Sequence, residues 1–171
     1  MKKLLWLIFA FVLLCGCQQN TGEPAETTPP LTVAAAQQVL DSTMASVKEE
    51  GDAPPAYLTE LERRTSWTVV AAQDGHDGTG EVTVKVSAPD LYGVIKSLEQ
   101  TVFPDTQAMD AAVTEALRSA PLRERELVLD FLVDGPRWEA LLTNEFTDAC
   151  YGGLLTYREE LYASMEGAWA E

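Results

Sequence analysis

The sequence predicts an α+β domain in which an antiparallel sheet of about four strands packs on helices. Three observations carry this. Apolar residues recur at helical spacing over residues 33–47 and again after residues 90 and 105. Two stretches, residues 66–73 and 81–88, alternate apolar and polar side chains with period two across a turn rich in Gly and Asp. A second alternating pair follows two further helices, so strands and helices come in blocks, as in α+β rather than α/β chains.

Before that domain the chain carries an address. Met1-Lys2-Lys3 is a positive start, Leu4 to Leu14 an unbroken apolar run, and Cys15-Gly16-Cys17 a small-residue end, the pattern of an export signal over residues 1–16. Eleven apolar residues reach about 16 Å as a helix, roughly half the hydrocarbon core of a bilayer, so the run is too short for a stable span. Leu14-Cys15-Gly16-Cys17 resembles the lipobox of bacterial lipoproteins, a Leu three before and a Gly directly before an invariant Cys. The resemblance implies that the Gly16–Cys17 bond is cleaved and that the Cys17 thiol takes a diacylglyceryl group, the new N-terminus taking a further acyl chain such as palmitate. Two or more chains, at about 0.8 kcal/mol per buried CH₂, hold a protein on a membrane where one would exchange. The location implied is the extracytoplasmic face of a cell membrane. Residues 17–31 then read as the lipidated Cys and a flexible linker, since QQNTGEPAETTPP is polar, rich in Thr and Pro and too poor in apolar side chains to pack. Its thirteen residues span roughly 20 Å as a coil and about 43 Å stretched.

Residues 32–171 read as the α+β domain. Thr32 caps a helix with Val33, Ala36, Leu40, Met44 and Val47 on its apolar face, ended by Gly51. A short helix follows Pro54-Pro55 through Tyr57, Leu58 and Leu61. Ser66–Gln73 and Glu81–Ala88 form a hairpin, with Val82, Val84 and Val86 on its buried face and Glu81, Thr83, Lys85 and Ser87 on its wet face. Pro89-Asp90 opens a helix carrying Leu91, Val94, Ile95, Leu98 and Val102, and Pro104-Asp105 another carrying Met109, Val113 and Leu117. Arg123–Val133 is the third strand, with Leu127, Leu129, Phe131 and Val133 inward, and Trp138–Phe146 returns as its partner after the Asp134-Gly135-Pro136-Arg137 turn. A last helix from about Thr147 carries Leu154, Leu161, Met165 and Trp169. Gly152-Gly153 weakens its start and suggests a close backbone approach.

This order resembles the cystatin-like and nuclear-transport-factor-2-like superfamily, in particular its uncharacterised bacterial lipoproteins. The residues that carry the resemblance are Val82-Thr83-Val84-Lys85-Val86-Ser87-Ala88-Pro89-Asp90-Leu91, the turn Val133-Asp134-Gly135-Pro136-Arg137-Trp138, and Thr143-Asn144-Glu145-Phe146. It spans about residues 32 to 165 and implies a fold more than a chemistry. Enzymes of that fold place an Asp or Glu base in a conical pocket between sheet and helix.

Composition narrows the function. The chain has 171 residues with 12 Lys+Arg against 27 Asp+Glu, a formal -15, and the basic residues are scattered, which speaks against nucleic acid as a partner. Cleavage removes Lys2 and Lys3 and takes the formal charge to about -17. With Cys15 discarded and Cys17 lipidated, Cys150 has no disulfide partner within the chain and reads as a buried small hydrophobe. The one His, His76, sits in a Gly- and Asp-rich turn and reads as a solvated loop side chain. Asp74, Asp77 and Glu81 depart from the EF-hand spacing, because His76 occupies the third position. Asp130 falls on the wet parity of its strand, while Arg123, Glu124, Arg125 and Glu126 alternate sign by face, as cross-strand pairing favours. Trp67, Phe131, Trp138 and Phe146 are the candidates for lining a ligand pocket. The expectation is a non-catalytic, lipid-anchored domain without metal or cofactor that binds a small ligand or an envelope protein. The alternative is an enzyme that uses a pocket carboxylate on a small apolar substrate. About 140 folded residues are too few for a two-lobed solute receptor. Cys17→Ala is expected to abolish fatty-acid labelling of the protein and to release it from membranes; labelling that survives the substitution would refute the lipidation.

Overall fold

The computed structural model describes residues 28–48, 54–75 and 77–168, so the signal segment, Cys17, Gly51, His76 and Trp169 lie outside the described residues. Ten elements follow one another: α1 (Val33–Lys48), α2 (Ala56–Arg64), β1 (Ser66–Asp74), β2 (Thr79–Pro89), α3 (Leu91–Leu98), α4 (Thr106–Ser119), β3 (Leu122–Asp134), β4 (Arg137–Ala140), α5 (Asn144–Cys150) and α6 (Leu154–Ala168). The protein is α+β: four strands pair antiparallel in the order β1-β2-β3-β4. No helix among the described residues is long and apolar enough to cross a membrane.

One face of the sheet is covered and the other is wet. Val82, Val84 and Val86 of β2 lie opposite Leu129, Leu127 and Arg125 of β3 and point with them toward α1 and α5. Ala36 and Leu40 of α1 and Phe146, Ala149 and Cys150 of α5 close this core. On the wet face Lys85 pairs with Glu124 at 2.8 Å, and Val128 and Asp130 are exposed. The register of β1 slips between Val69 and Ala71. That extra residue reverses the alternation, so Trp67 and Val69 point inward before it and Ala72 and Asp74 after it, while Val70 is left exposed.

A second core is wholly helical. Leu61 of α2, Leu91 and Val94 of α3 and Val113 and Leu117 of α4 are buried against one another, with Leu154 of α6 partly buried beside them. The starts of α1, α3 and α4 carry a side-chain cap, whereas α2 starts after Pro55 without one. Thr32 Oγ1 accepts from Ala35 N, Asp90 Oδ1 from Gly93 N and Asp105 Oδ1 from Ala108 N, as the sequence suggests. Arg64, at the end of α2, donates to the Leu117 and Ala120 carbonyls at the C-terminus of α4.

Four local expectations are corrected. The stretch read as the strand Trp138–Phe146 pairs only to Ala140, because Thr143 Oγ1 accepts from Phe146 N and starts α5 there. The last helix begins at Leu154, not Thr147: Gly152 and Gly153 take φ values of 60° and 87° and break the chain into α5 and α6, leaving Leu161 and Met165 exposed. Val33 and Val47 are exposed on α1, where the inward stripe runs through Ala36 and Leu40, and Val102 lies beyond the end of α3, 94% exposed. Finally, residues 28–31, read as linker, are docked on the sheet. Trp138 Nε1 donates to the Pro29 carbonyl at 2.8 Å, Leu31 N donates to Asp74 Oδ2 at 3.3 Å, and Leu31 is buried over Gly80, where a Cβ would overlap its Cδ2. The polar composition of the preceding residues hid one anchoring leucine.

The close approach foreseen at the glycine pair is real. A Cβ on Gly152 would overlap the Pro89 carbonyl oxygen and crowd Leu91 N, whereas one on Gly135, also at positive φ, would meet nothing within 4 Å. Gly135→Ala is expected to cost about 1 kcal/mol of unfolding free energy, the left-handed backbone penalty alone, and Gly152→Ala about 3 kcal/mol or more. Urea titration of the two variants separates them.

Candidate functional site

The four aromatic candidates belong to the core. Phe131 and Phe146 are fully buried, Trp138 is buried with them, and Trp67 packs from the edge with its Nε1 donating to Asp41 Oδ1 at 2.8 Å. They are brought together, but as filling between the sheet and the α1–α5 layer, and none lines either of the two clefts described next. Asp130 is exposed and sits opposite Glu81. Asp74 holds Leu31 N, and Asp77 Oδ1 accepts from Thr79 N and Oγ1 within its own turn. Among the described residues no His, Cys, Asp and Glu side chains group as metal ligands would. Cys150 is buried.

The open spaces lie along the seam between α3 and α6. The first is an apolar cleft of about 350 Å³, walled by Ile95 and Leu98 of α3, Phe103 of the following loop, Met109 and Val113 of α4, and the rings of Tyr57 and Tyr157. Asp110 and Glu99 also line it. Burial first and the Asp110 charge second push the Tyr57 phenol above its ordinary pKa, so it stays a neutral donor across physiological pH. The cleft exists because α3 is only eight residues long and its apolar face, continued by the loop to Phe103, does not fill the space against α4.

The second cleft, about 300 Å³, lies between the start of β3 and the α5–α6 corner. Arg123 and Arg125 enter it from the sheet, Tyr92 from α3 and Thr156 from α6, over a floor of Gly152 and Gly153. Its central group is Asp148, 6% exposed. Oδ1 accepts from Leu155 N at 2.9 Å and Thr156 N at 3.1 Å, and Oδ2 from Thr156 Oγ1 at 2.7 Å and Arg125 Nη1 at 3.3 Å. Arg123 Nη1 donates to the α3 cap Asp90 at 3.1 Å.

A short wall divides the two clefts. The Tyr92 and Tyr157 rings meet edge to face at 6.4 Å between centres, and Lys96 Nζ lies 5.8 and 5.3 Å from them. Glu160 accepts the Tyr92 hydroxyl at 2.9 Å and pairs with Lys96 at 3.4 Å. That hydrogen bond is the main cause of the raised Tyr92 pKa. For Lys96 the loss of hydration acts downward, but Glu99 and Glu160 outweigh it and hold the ammonium above its ordinary value.

The arginine pair was missed in the sequence, although a signal for it exists. Arg123 and Arg125 share strand parity with Leu127, Leu129 and Phe131, and they lie opposite the buried Ala88 and Val86. Two cations on the core parity of a strand mark the point where the covered face opens. The chain matches no family model, no characterised protein and no solved structure.

Asp148 and Asp90 allow a graded test. Asp90→Ala removes a helix cap and one exposed ion pair and is expected to cost about 1 kcal/mol. Asp148→Ala leaves two backbone N–H groups and a half-exposed guanidinium without their acceptor and is expected to cost about 3 kcal/mol. Chemical denaturation reads both, and equal losses would show that the α5–α6 corner does not depend on the carboxylate.

Proposed function

We propose that this chain is a lipid-anchored, extracytoplasmic, non-catalytic binding domain that takes a small apolar ligand in the cleft between α3, α4 and α6. The anchor rests on the lipobox resemblance at Leu14–Cys17, and the cystatin-like resemblance contributes architecture only. The observation that carries the binding reading is the contrast between two interiors. The space between sheet and helices, where an enzyme of the related fold keeps its carboxylate, is filled by Phe131, Phe146, Leu129 and Leu40. The cleft on the helical side is open, and its volume and apolar walls fall at the small end of the range that small-molecule sites occupy.

One observation favours the catalytic alternative: Asp110 lines the apolar cleft beside Tyr57. Asp110 and Glu99 bring carboxylates and Tyr57 a donor to a cleft whose other walls are mostly apolar, so binding is the fuller account of the same residues. The test uses the Cys17→Ala chain, which carries no lipid to compete for the probe. Nile red is expected to bind with enhanced fluorescence, and Met109→Trp, a larger side chain at a half-exposed position of the cleft wall, to weaken it at least tenfold while leaving the thermal midpoint within a few degrees. Asp110→Asn is expected to leave binding intact. Unchanged binding in Met109→Trp would refute the site, and Asp110-dependent turnover of an added apolar ester or ketone would replace binding by catalysis.

A further inference from the structure

We propose that the cleft between β3 and the α5–α6 corner is a second site, for the oxyanion group, carboxylate or phosphate, of a small polar ligand. Arg123 and Arg125 are its grips.

The two arginines stand on the unexpected face of their strand. In a strand whose other face is wet, a cation is cheapest on the wet face, and Lys85 and Glu124 use that face in this sheet. Arg123 and Arg125 are instead on the covered parity, directly opposite Ala88 and Val86. Two of the chain's 12 basic side chains therefore converge on one cleft of a protein with formal charge -15.

Their acid partners do not use up what they offer. A guanidinium has five N–H donors in a planar fork. Each of these donates one, through Nη1, to a carboxylate of the protein. Asp148 already accepts four hydrogen bonds, filling the roughly four lone-pair sites of a carboxylate, so it has no further acceptor for Arg125. Asp90 is engaged as the cap of α3. Both negative charges are thus directed into helix N-termini, where backbone N–H groups stabilise them. Both half-exposed guanidinium side chains line the cleft, and the partner that suits their remaining donors is two oxygens on one centre.

The floor and walls suit such a guest. Gly152 and Gly153 leave the floor without side chains, and a Cβ on Gly153 would press on the Tyr92 Cβ at 2.9 Å and so on the aromatic wall of the cleft. Tyr92, held through its hydroxyl by Glu160, supplies a fixed aromatic wall for the rest of the ligand. The volume of about 300 Å³ exceeds what a bare oxyanion needs. The overall acidity opposes anions only at long range, since at physiological salt it is screened beyond about 8 Å.

The test is isothermal titration and thermal shift on the full-length chain in detergent, with potassium phosphate and potassium succinate as probes, each against potassium chloride of equal ionic strength. At least one probe is expected to raise the midpoint and to bind at one site per chain. Stabilisation by phosphate alone assigns a phosphate-bearing ligand, and by succinate alone a carboxylate-bearing one. Arg123→Gln is expected to weaken binding at least tenfold. Arg123→Lys, which keeps the charge and loses the fork, should recover only part of it. Because Arg125→Gln also loosens Asp148, Arg123 carries the test, and Arg118→Gln, on an exposed helical pair with Glu115, is the control expected to bind as the parent does. No response to either probe, or equal losses in the Arg123 and Arg118 variants, would overturn the proposal.

Discussion

The buried carboxylate of Asp148 is the constraint on which the two halves of this protein depend. It lies where α5 ends and α6 begins, and its four hydrogen bonds hold the first turn of α6 and one arginine of β3 to the same point. With that corner fixed, Gly152 is pressed against the backbone of Pro89 and Leu91, and Tyr92 N donates to its carbonyl at 2.9 Å. No side chain fits at that crossing, and a left-handed φ is required there, so only glycine satisfies both conditions. The corner is also where the sheet core passes into the helical core, since Ala149 and Cys150 belong to the first and Tyr151 and Leu154 pack on the second. A carboxylate buried this deeply is tolerated because every acceptor site is used, which makes it a rigid joint rather than a liability.

Both clefts follow from this joint. Because α6 leaves the corner at a fixed angle and α3 starts from the same crossing, the two helices meet through Tyr92, Lys96, Tyr157 and Glu160 and leave space on either side. Toward the sheet that space is bounded by arginines and backbone, and toward α4 by aliphatic side chains and aromatic rings. The polarity of each cleft is therefore set by what the neighbouring element presents: the charged start of a strand in one case, the apolar stripe of a helix in the other.

How much of this the sequence makes legible depends on the range of the interaction concerned. Caps at Thr32, Asp90 and Asp105, the valine alternation of β2 and the inward parity of Leu127, Leu129 and Phe131 are local patterns, and all are legible. Trp138–Phe146 misleads because its apolar residues fit a strand as well as a turn followed by a helix, and only the Thr143 cap decides between them. Val33, Val47, Leu161 and Met165 recur at helical spacing but face solvent, since periodicity gives a stripe without saying how much of it a neighbour covers. The bulge in β1 adds one residue to a strand with small apolar side chains on both parities, so no alternation betrays the change of phase. Asp148 escapes for a different reason: its partners come from residues 125, 155 and 156, and nothing local distinguishes it from a solvated acid on a short helix. The aromatic residues proposed for a pocket are core residues, and the clefts are gaps between elements, which no single segment encodes.

The docked segment 28–31 adds a direction to the molecule. It meets the sheet at Asp74, Gly80, Gly135 and Trp138, the end where β1 turns into β2 and β3 into β4. The arginine cleft opens at the other end of β3, and the nine residues of strand from Arg123 to Phe131 span about 27 Å. If the chain is anchored as proposed, the lipid end enters where Thr28, Pro29 and Leu31 are fastened, and the tether contributes its length only up to that point. Fastening residues 28–31 to the sheet then fixes where the preceding segment would join the domain, at the end of the sheet opposite the arginine cleft and separated from it by the length of the strand. A ligand site at the Arg123 end suits a guest arriving from the aqueous side, which is the side on which a small oxyanion is soluble.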